Sequence, residues 1–351
     1  MLLKDIIKGF KKEMMQLQLK RLGIETAPGM KKPEIADKLN ETLLDPGVMT
    51  MIFSAASPEE IDFMDEAAQG ISVMPENPLD VLNVGMFGYL APAENGLILP
   101  DDVRNMYRII RWSAPFMKNR EVLWPLIDYL NAFVSLYGVV RTDTAINMYR
   151  KYEGGRISES EIKRCLPLTG LRNDPFIAFD EVIMHRTLAE EMAWQVLLEV
   201  QGDKPFYMPP KWMINAYANE WYYDKTPEYY ALYDRVAELA KNSEENASEH
   251  MDNITYAIQD EDNLDGMLEE VSSMMGVVFD DRTERMNFSM LLTNYINNTR
   301  LWSNRGFTQH EMYMLERKER MKNAREKEGQ KASFKNNGSG GKVLDFESIK
   351  K

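Results

Sequence analysis

The chain has 351 residues, 44% of them apolar and 28% charged, a balance that suits a folded protein of two or three domains and argues against global disorder. It carries one cysteine, Cys165, and three histidines, His185, His250 and His310, that lie far apart. A disulfide framework and a thiolate zinc cluster are excluded, no histidine pair has metal-ligand spacing, and a reducing compartment is expected.

Charge is unevenly distributed. The net value is −13, yet residues 1–40 hold nine basic and five acidic side chains, and residues 317–351 hold eleven and five. The middle, 41–316, is left at −23. A polyanion is repelled by that middle and attracted only to the ends, which read equally well as solvated tails. The opening stretch MLLKDIIKGFKKEMM is charged throughout and has no small-residue cleavage site. No run reaches the roughly 18 apolar residues that a spanning helix needs, so a cytoplasmic protein with no membrane contact is expected. The 25 methionines read as flexible core filler, or alternatively as an adaptable binding surface.

Met14, Met15, Leu17 and Leu19 to Leu22 predict a first helix, ended at Gly23. After the loop ETAPGM, Pro33 opens a second helix with Ile35, Leu39 and Leu43 at four-residue spacing. Residues 45–104 predict three helices and a hairpin. The first helix is near 47–56, the second is capped by Ser57-Pro58-Glu59-Glu60, and the third opens at Asn77-Pro78. Tyr89-Leu90 and Leu97 to Leu99 then read as strands around the turn Ala93 to Gly96. Residues 121–190 repeat the plan. A helix over about 122–137 ends at Gly138, a second is capped by Thr142 or Asp143 and stops at Gly154-Gly155, and Ser158 with Glu161 forms a capping box for a third. FIAF (176–179) and VIMH (182–185) flank Asp180-Glu181 as a second hairpin. Three helices followed by a hairpin is the order of a winged helix, so the two segments read as an architectural tandem repeat. Residues 205–316 predict helices alone, with KNSEENASE as a polar connection, and the basic stretch after 316 predicts a charged helix followed by the flexible NNGSGG.

Two resemblances follow from these segments. Leu19, Leu22, Gly23, Ile24, Met30-Lys31-Lys32, Glu34, Ile35 and Leu39 make residues 10–44 resemble the Rho termination factor N-terminal domain and the related SAP modules. That resemblance implies a helix–extended loop–helix module that binds or accompanies nucleic acid, with Lys31 and Lys32 placed to meet phosphates. The alternative is a helical pair docked on its own chain. The motifs LYGVV (136–140), KPFYMPPKWMINAYANEWYYDKTPEYYAL (204–232) and NNTRLWSNRGFTQHEM (297–312) resemble a group of uncharacterised proteins of clostridial Gram-positive bacteria, many of which end in a SEC-C zinc motif. That motif needs paired cysteines. The C-terminal region here has none, so no zinc is implied.

The expected architecture is therefore mainly α: a Rho-N/SAP-like module (1–44), two winged-helix-like units with short hairpins (45–115 and 120–200), a helical domain (205–316) and a basic tail (317–351). Catalytic constellations are not found. Cys165 reads as a buried structural thiol, with a Cys165–His185 pair as the sharper alternative. No phosphate-cradling glycine loop or GxSxG serine is present. The acidic run Asp260 to Gly266 lacks a calcium-loop register and reads as a solvated turn. The aromatic group Trp212, Tyr217, Trp221, Tyr222, Tyr223, Tyr229, Tyr230 and Tyr233 is a stacking platform or, by its helical spacing, core. NNTRLW (297–302) is expected to satisfy buried backbone groups. Residues 45–104 hold one basic residue against eleven acidic ones, so that unit is not expected to touch DNA. The second carries Arg156, Lys163, Arg164 and Arg172 as a thin basic patch. The expectation is a non-enzymatic, cofactor-free, transcription-related regulator that contacts nucleic acid through Lys31, Lys32, Arg156, Lys163, Arg164 and Arg172. The alternative is an adaptor that holds a protein partner on its acidic, aromatic-rich body.

Overall fold

The computed structural model describes residues 1–172, 174–179, 181–219, 222–240, 244–260 and 266–337. Over the described residues the chain is mainly helical, with two small antiparallel sheets, as the hydrophobic periodicity predicts. It divides into two compact units. One comprises Met1–Gly202 with Met208–Tyr222, the other Asp203–Tyr207 with Tyr223–Lys351. The three segments read as 1–44, 45–115 and 120–200 all fall in the first unit, and 208–222, expected with the C-terminal helices, joins them there.

The first unit opens with α1 (Leu3–Ile7), α2 (Lys12–Arg21) and α3 (Lys32–Leu43). Gly23, at φ +74°, ends α2, with Ile24 N–H donating to Leu19 O at 2.8 Å and Gly23 N–H to Lys20 O at 2.9 Å. This doubled bond satisfies two carbonyls of the last turn. Ile35, Leu39 and Leu43 are fully buried, so α3 turns its apolar stripe inward. The pair is docked on its own chain: Gln18 Nε2 donates to Met86 O.

Next come α4 (Pro46–Ala55), α5 (Pro58–Ala67), α6 (Leu82–Met86), β1 (Ala91–Ala93), β2 (Gly96–Ile98) and α7 (Asp101–Ile110). The capping box at Ser57 forms as expected. Ser57 Oγ accepts from Glu60 N–H at 3.0 Å, and Glu60 Oε2 accepts from Ser57 N–H at 2.8 Å. The other oxygen of this buried carboxylate accepts from Val84 N–H at 2.9 Å and so ties α5 to α6. The hairpin lies one or two residues from its predicted place, with Ala93 opposite Gly96. A single residue, Val73, adds a third partner by exchanging both backbone bonds with Leu97, at 2.9 and 2.8 Å. Because Leu97 turns its N–H and C=O towards Val73, the residue opposite it on β1 need not donate, and that residue is Pro92.

The last part of this unit contains α8 (Ala114–Tyr137), β3 (Val139–Arg141), α9 (Thr142–Tyr152), α10 (Glu159–Cys165), β4 (Phe176–Phe179), β5 (Val182–His185), α11 (Ala193–Gln201) and α12 (Ile214–Tyr217). The strands β4 and β5 are the FIAF and VIMH runs. β3, a three-residue strand, was not anticipated. It pairs with β5, so the sheet order is β3-β5-β4, all antiparallel.

The second unit holds α13 (Pro227–Leu239), α14 (Glu244–Asp260), α15 (Met267–Met274), α16 (Arg282–Asn298) and α17 (Gln309–Asn337). Its core is built from Tyr229, Leu232, Val236, Met251, Ile254, Phe288, Leu292 and Tyr295. The stretch expected as a polar connection is in part helical, since α14 begins at Glu244. Arg300 gathers the far ends of this unit. Its guanidinium bonds Asp224 at 2.8 Å, Gly306 O at 2.8 Å and Glu311 at 3.1 Å, and stacks 3.5 Å from the Tyr207 ring centroid. Thr299 Oγ1 donates to Tyr295 O and Asn298 Nδ2 to Asn294 O, so the polar residues of NNTRLW do bond backbone carbonyls.

Gly96 supplies a sharp test of the first hairpin. It sits at φ +133°, and a Cβ there would lie 2.3 Å from Val73 O. Neither a side-chain rotation nor a small shift relieves a clash with backbone. Gly96→Ala is expected to lower stability by about 2 kcal/mol or more in urea denaturation, while Gly155→Ala, open on all sides, is expected to cost less.

Candidate functional site

α4 ends inside the first unit, and its last carbonyls find no partner in the helix itself. Two arginines from later in the chain supply it. Arg120 Nη1 donates to Ala56 O at 2.6 Å and Ser54 O at 3.4 Å, and Arg172 Nη1 donates to Ala55 O at 2.7 Å. Positive charge at a helix C-terminus is favourable because the carbonyl dipoles concentrate negative potential there. Both guanidiniums stack on the Trp124 ring, at 5.0 and 4.5 Å from its centroid. Arg172 is also held in a fork by Asp174, at 2.6 and 2.9 Å, and both side chains are only 9% exposed. Asn119 completes the joint: it donates to Ser54 Oγ at 3.4 Å and accepts from Arg164 Nη1 at 2.8 Å.

These contacts redistribute the expected nucleic-acid residues. Arg172 is part of the interior and is withdrawn as a phosphate contact, because its Nε and Nη2 bond Asp174, its Nη1 bonds Ala55 O and its plane lies over the Trp124 ring. Arg164 is exposed but bonded to the same joint. Lys163 lies between Asp143 at 3.0 Å and Glu159 at 2.9 Å, and both raise its pKa. Arg156 is exposed in the loop between α9 and α10. Lys31 and Lys32 are exposed at the start of α3, where Glu34 accepts from the Lys31 backbone N–H at 2.7 Å. The structure thus gathers Lys163, Arg164 and Arg172 around α10 and its neighbours, but with their charges largely spent.

The other candidates divide in the same way. Cys165 is fully buried, and burial raises its thiol pKa. His185 is buried with Nδ1 2.8 Å from Thr187 Oγ1, and burial, then Arg186, pushes its pKa down to about 4. Both shifts oppose a thiolate–imidazolium pair. The aromatic group is split by the boundary between the units. Trp212 is 79% exposed and Tyr217 is buried in the first, while Tyr229 is buried in the second. Trp221 and residues 261–265 of the acidic run lie outside the described residues. Among the described residues no cluster of His, Cys, Asp and Glu could hold a metal ion, and no helix is long and apolar enough to cross a membrane. One cavity, of about 610 Å³, opens beside the start of α9 and is lined by Arg141, Thr142, Lys163, Pro167 and Glu181 among others.

Two outcomes follow. Arg172→Ala leaves Asp174 without its partner and a carbonyl of α4 uncapped; a loss of about 2–4 kcal/mol is expected in chemical denaturation, with nucleic-acid affinity unchanged. His185 has a folded-state pKa depressed from 6.5 to about 4, so the unfolded chain takes up its proton first. The stability it contributes is complete above about pH 6.5 and falls by roughly 3 kcal/mol as the pH drops through 4. His185→Gln is expected to flatten the acid limb of a stability-against-pH curve over that window, and an unchanged limb would refute the assignment. Compared with known proteins, the chain matches no family model, no curated protein and no solved structure.

Proposed function

We propose that this chain is a non-catalytic binding protein whose acidic body holds a protein partner with a basic surface. Residues 120–200 are read here as a winged helix, since a helix, a strand, two helices and a hairpin with sheet order β3-β5-β4 follow that plan. Residues 45–115 are read as a reduced version of it. One observation carries the interaction reading: Arg172 and Arg164 are bonded at the α4 joint, and Lys163 is held by two carboxylates. A helix so neutralised has little to offer a phosphate backbone. Winged helices without a basic reading helix serve as protein-interaction modules, and the −23 of residues 41–316 favours a cationic partner.

A second reading, the nucleic-acid-associated regulator, is favoured by the exposure of Lys31 and Lys32 and by the basic α17. It places the phosphate contacts at the ends of the chain.

Fluorescence anisotropy of the full chain with labelled single-stranded RNA and double-stranded DNA, at two salt concentrations, separates the two. Under the interaction reading, binding is absent or weak and R156E/K163E changes nothing. Under the regulator reading, binding is salt-sensitive and K31E/K32E weakens it by about tenfold or more. A fall in affinity with R156E/K163E comparable to that with K31E/K32E would overturn the assignment of residues 120–200 to protein contact.

A further inference from the structure

The cavity beside α9 has no part in the reading above, and its walls have a definite chemistry. Three pieces of the first unit enclose it: the start of α9 with Arg141, Thr142, Asp143 and Thr144; the end of α10 with Lys163, Leu166 and Pro167; and the β4–β5 hairpin with Ala178 and Glu181. The hairpin is fastened to the helix, because Thr142 N–H donates to Glu181 O at 2.8 Å and Arg141 pairs with Val182 in the sheet. The volume of about 610 Å³ is that of a small-molecule site rather than a packing defect.

Its charged groups sort into two sets. Lys163 and Asp143 satisfy each other at 3.0 Å. Arg141 and Glu181 are exposed and have no ion pair among the described residues, so the lining holds one uncommitted charge of each sign. Leu166, Pro167 and Ala178 supply an apolar wall between the charges.

We propose that this cavity binds a small zwitterion, an amino acid or short peptide with free ends and an apolar side chain, whose carboxylate meets Arg141 and whose ammonium meets Glu181. An anion alone would leave Glu181 facing it, and a cation alone would leave Arg141. A zwitterion answers both, and the carboxylate also benefits from the positive end of the eleven-residue α9. The ligand would bridge α9 and the hairpin, and so hold the hairpin on the helix.

The test uses the full chain and defined probes: leucine, dileucine and trileucine, each also with an acetylated amine or an amidated carboxylate. Titration calorimetry and ligand-observed NMR read the affinity. At least one free-ended probe is expected to bind, and blocking either end to weaken it by about tenfold or more. Arg141→Ala is expected to remove the preference for a free carboxylate, and Glu181→Gln the preference for a free amine. Neither side chain makes a bond among the described residues, so unchanged thermal melting of both variants checks that the fold is kept. Absence of binding by all three free-ended probes at about 10 mM, equal affinity for blocked and free forms, or full affinity in Arg141→Ala would each overturn the proposal.

Discussion

The end of α4 is the point on which the first unit turns. Three successive carbonyls, of Ser54, Ala55 and Ala56, receive guanidinium donors from Arg120 and Arg172. Arg120 bonds two of the three. No carboxylate bonds it among the described residues, and burial, with Arg111 and Arg172 nearby, lowers its pKa to about 10. It stays charged at neutral pH because the carbonyl dipoles of α4 and the faces of Phe116 and Trp124, at 5.7 and 5.0 Å, replace the water it has lost. Remove that cap and the helix presents bare carbonyls to an interior that cannot solvate them.

The same joint explains why counting residues overstates the free positive charge around α10. A sum over residues treats every arginine as available. In the folded chain, Arg172 serves α4 and Asp174, Arg164 serves Asn119, and Arg111 is forked onto Asp65 at 2.9 and 3.0 Å. At the ends of the chain, Lys31, Lys32 and the α17 residues Arg317, Lys318 and Arg325 remain exposed.

Much of the local structure was legible in the sequence, for reasons the structure makes plain. Ser158 with Glu161, Ser57 with Glu60 and Gly23 after an apolar run are short-range signals that depend on a few neighbouring atoms. FIAF and VIMH read as strands because the apolar runs are bounded and separated by two acidic residues. β3 was missed because three residues between Gly138 and a helix cap carry too little pattern, and its strand character comes from β5. KNSEENASE was read as a connection although α14 starts within it at Glu244, because the first turns of that helix are polar, which a solvated helix permits. The role of Arg172 was not readable at all. A buried and an exposed arginine are written with the same letter, and the only local hint was Asp174 two residues on.

The two hairpins show how one plan yields different sites. In both, the second hairpin strand is flanked by the first and by an earlier segment: Val73 beside β2, and β3 beside β5. In the first case the earlier segment is a single residue, because Pro75 has no N–H to extend the ladder and Gly70 turns the chain at φ +89°. The following α6 is a five-residue helix. In the second, Val139, Val140 and Arg141 all pair, and the strand runs straight into α9, whose first turn is then fixed against the hairpin by the Glu181 carbonyl. A strand that passes directly into a helix and is clamped to a hairpin brings a helix start, an arginine and a glutamate to one place. That continuity gives the second hairpin its cavity.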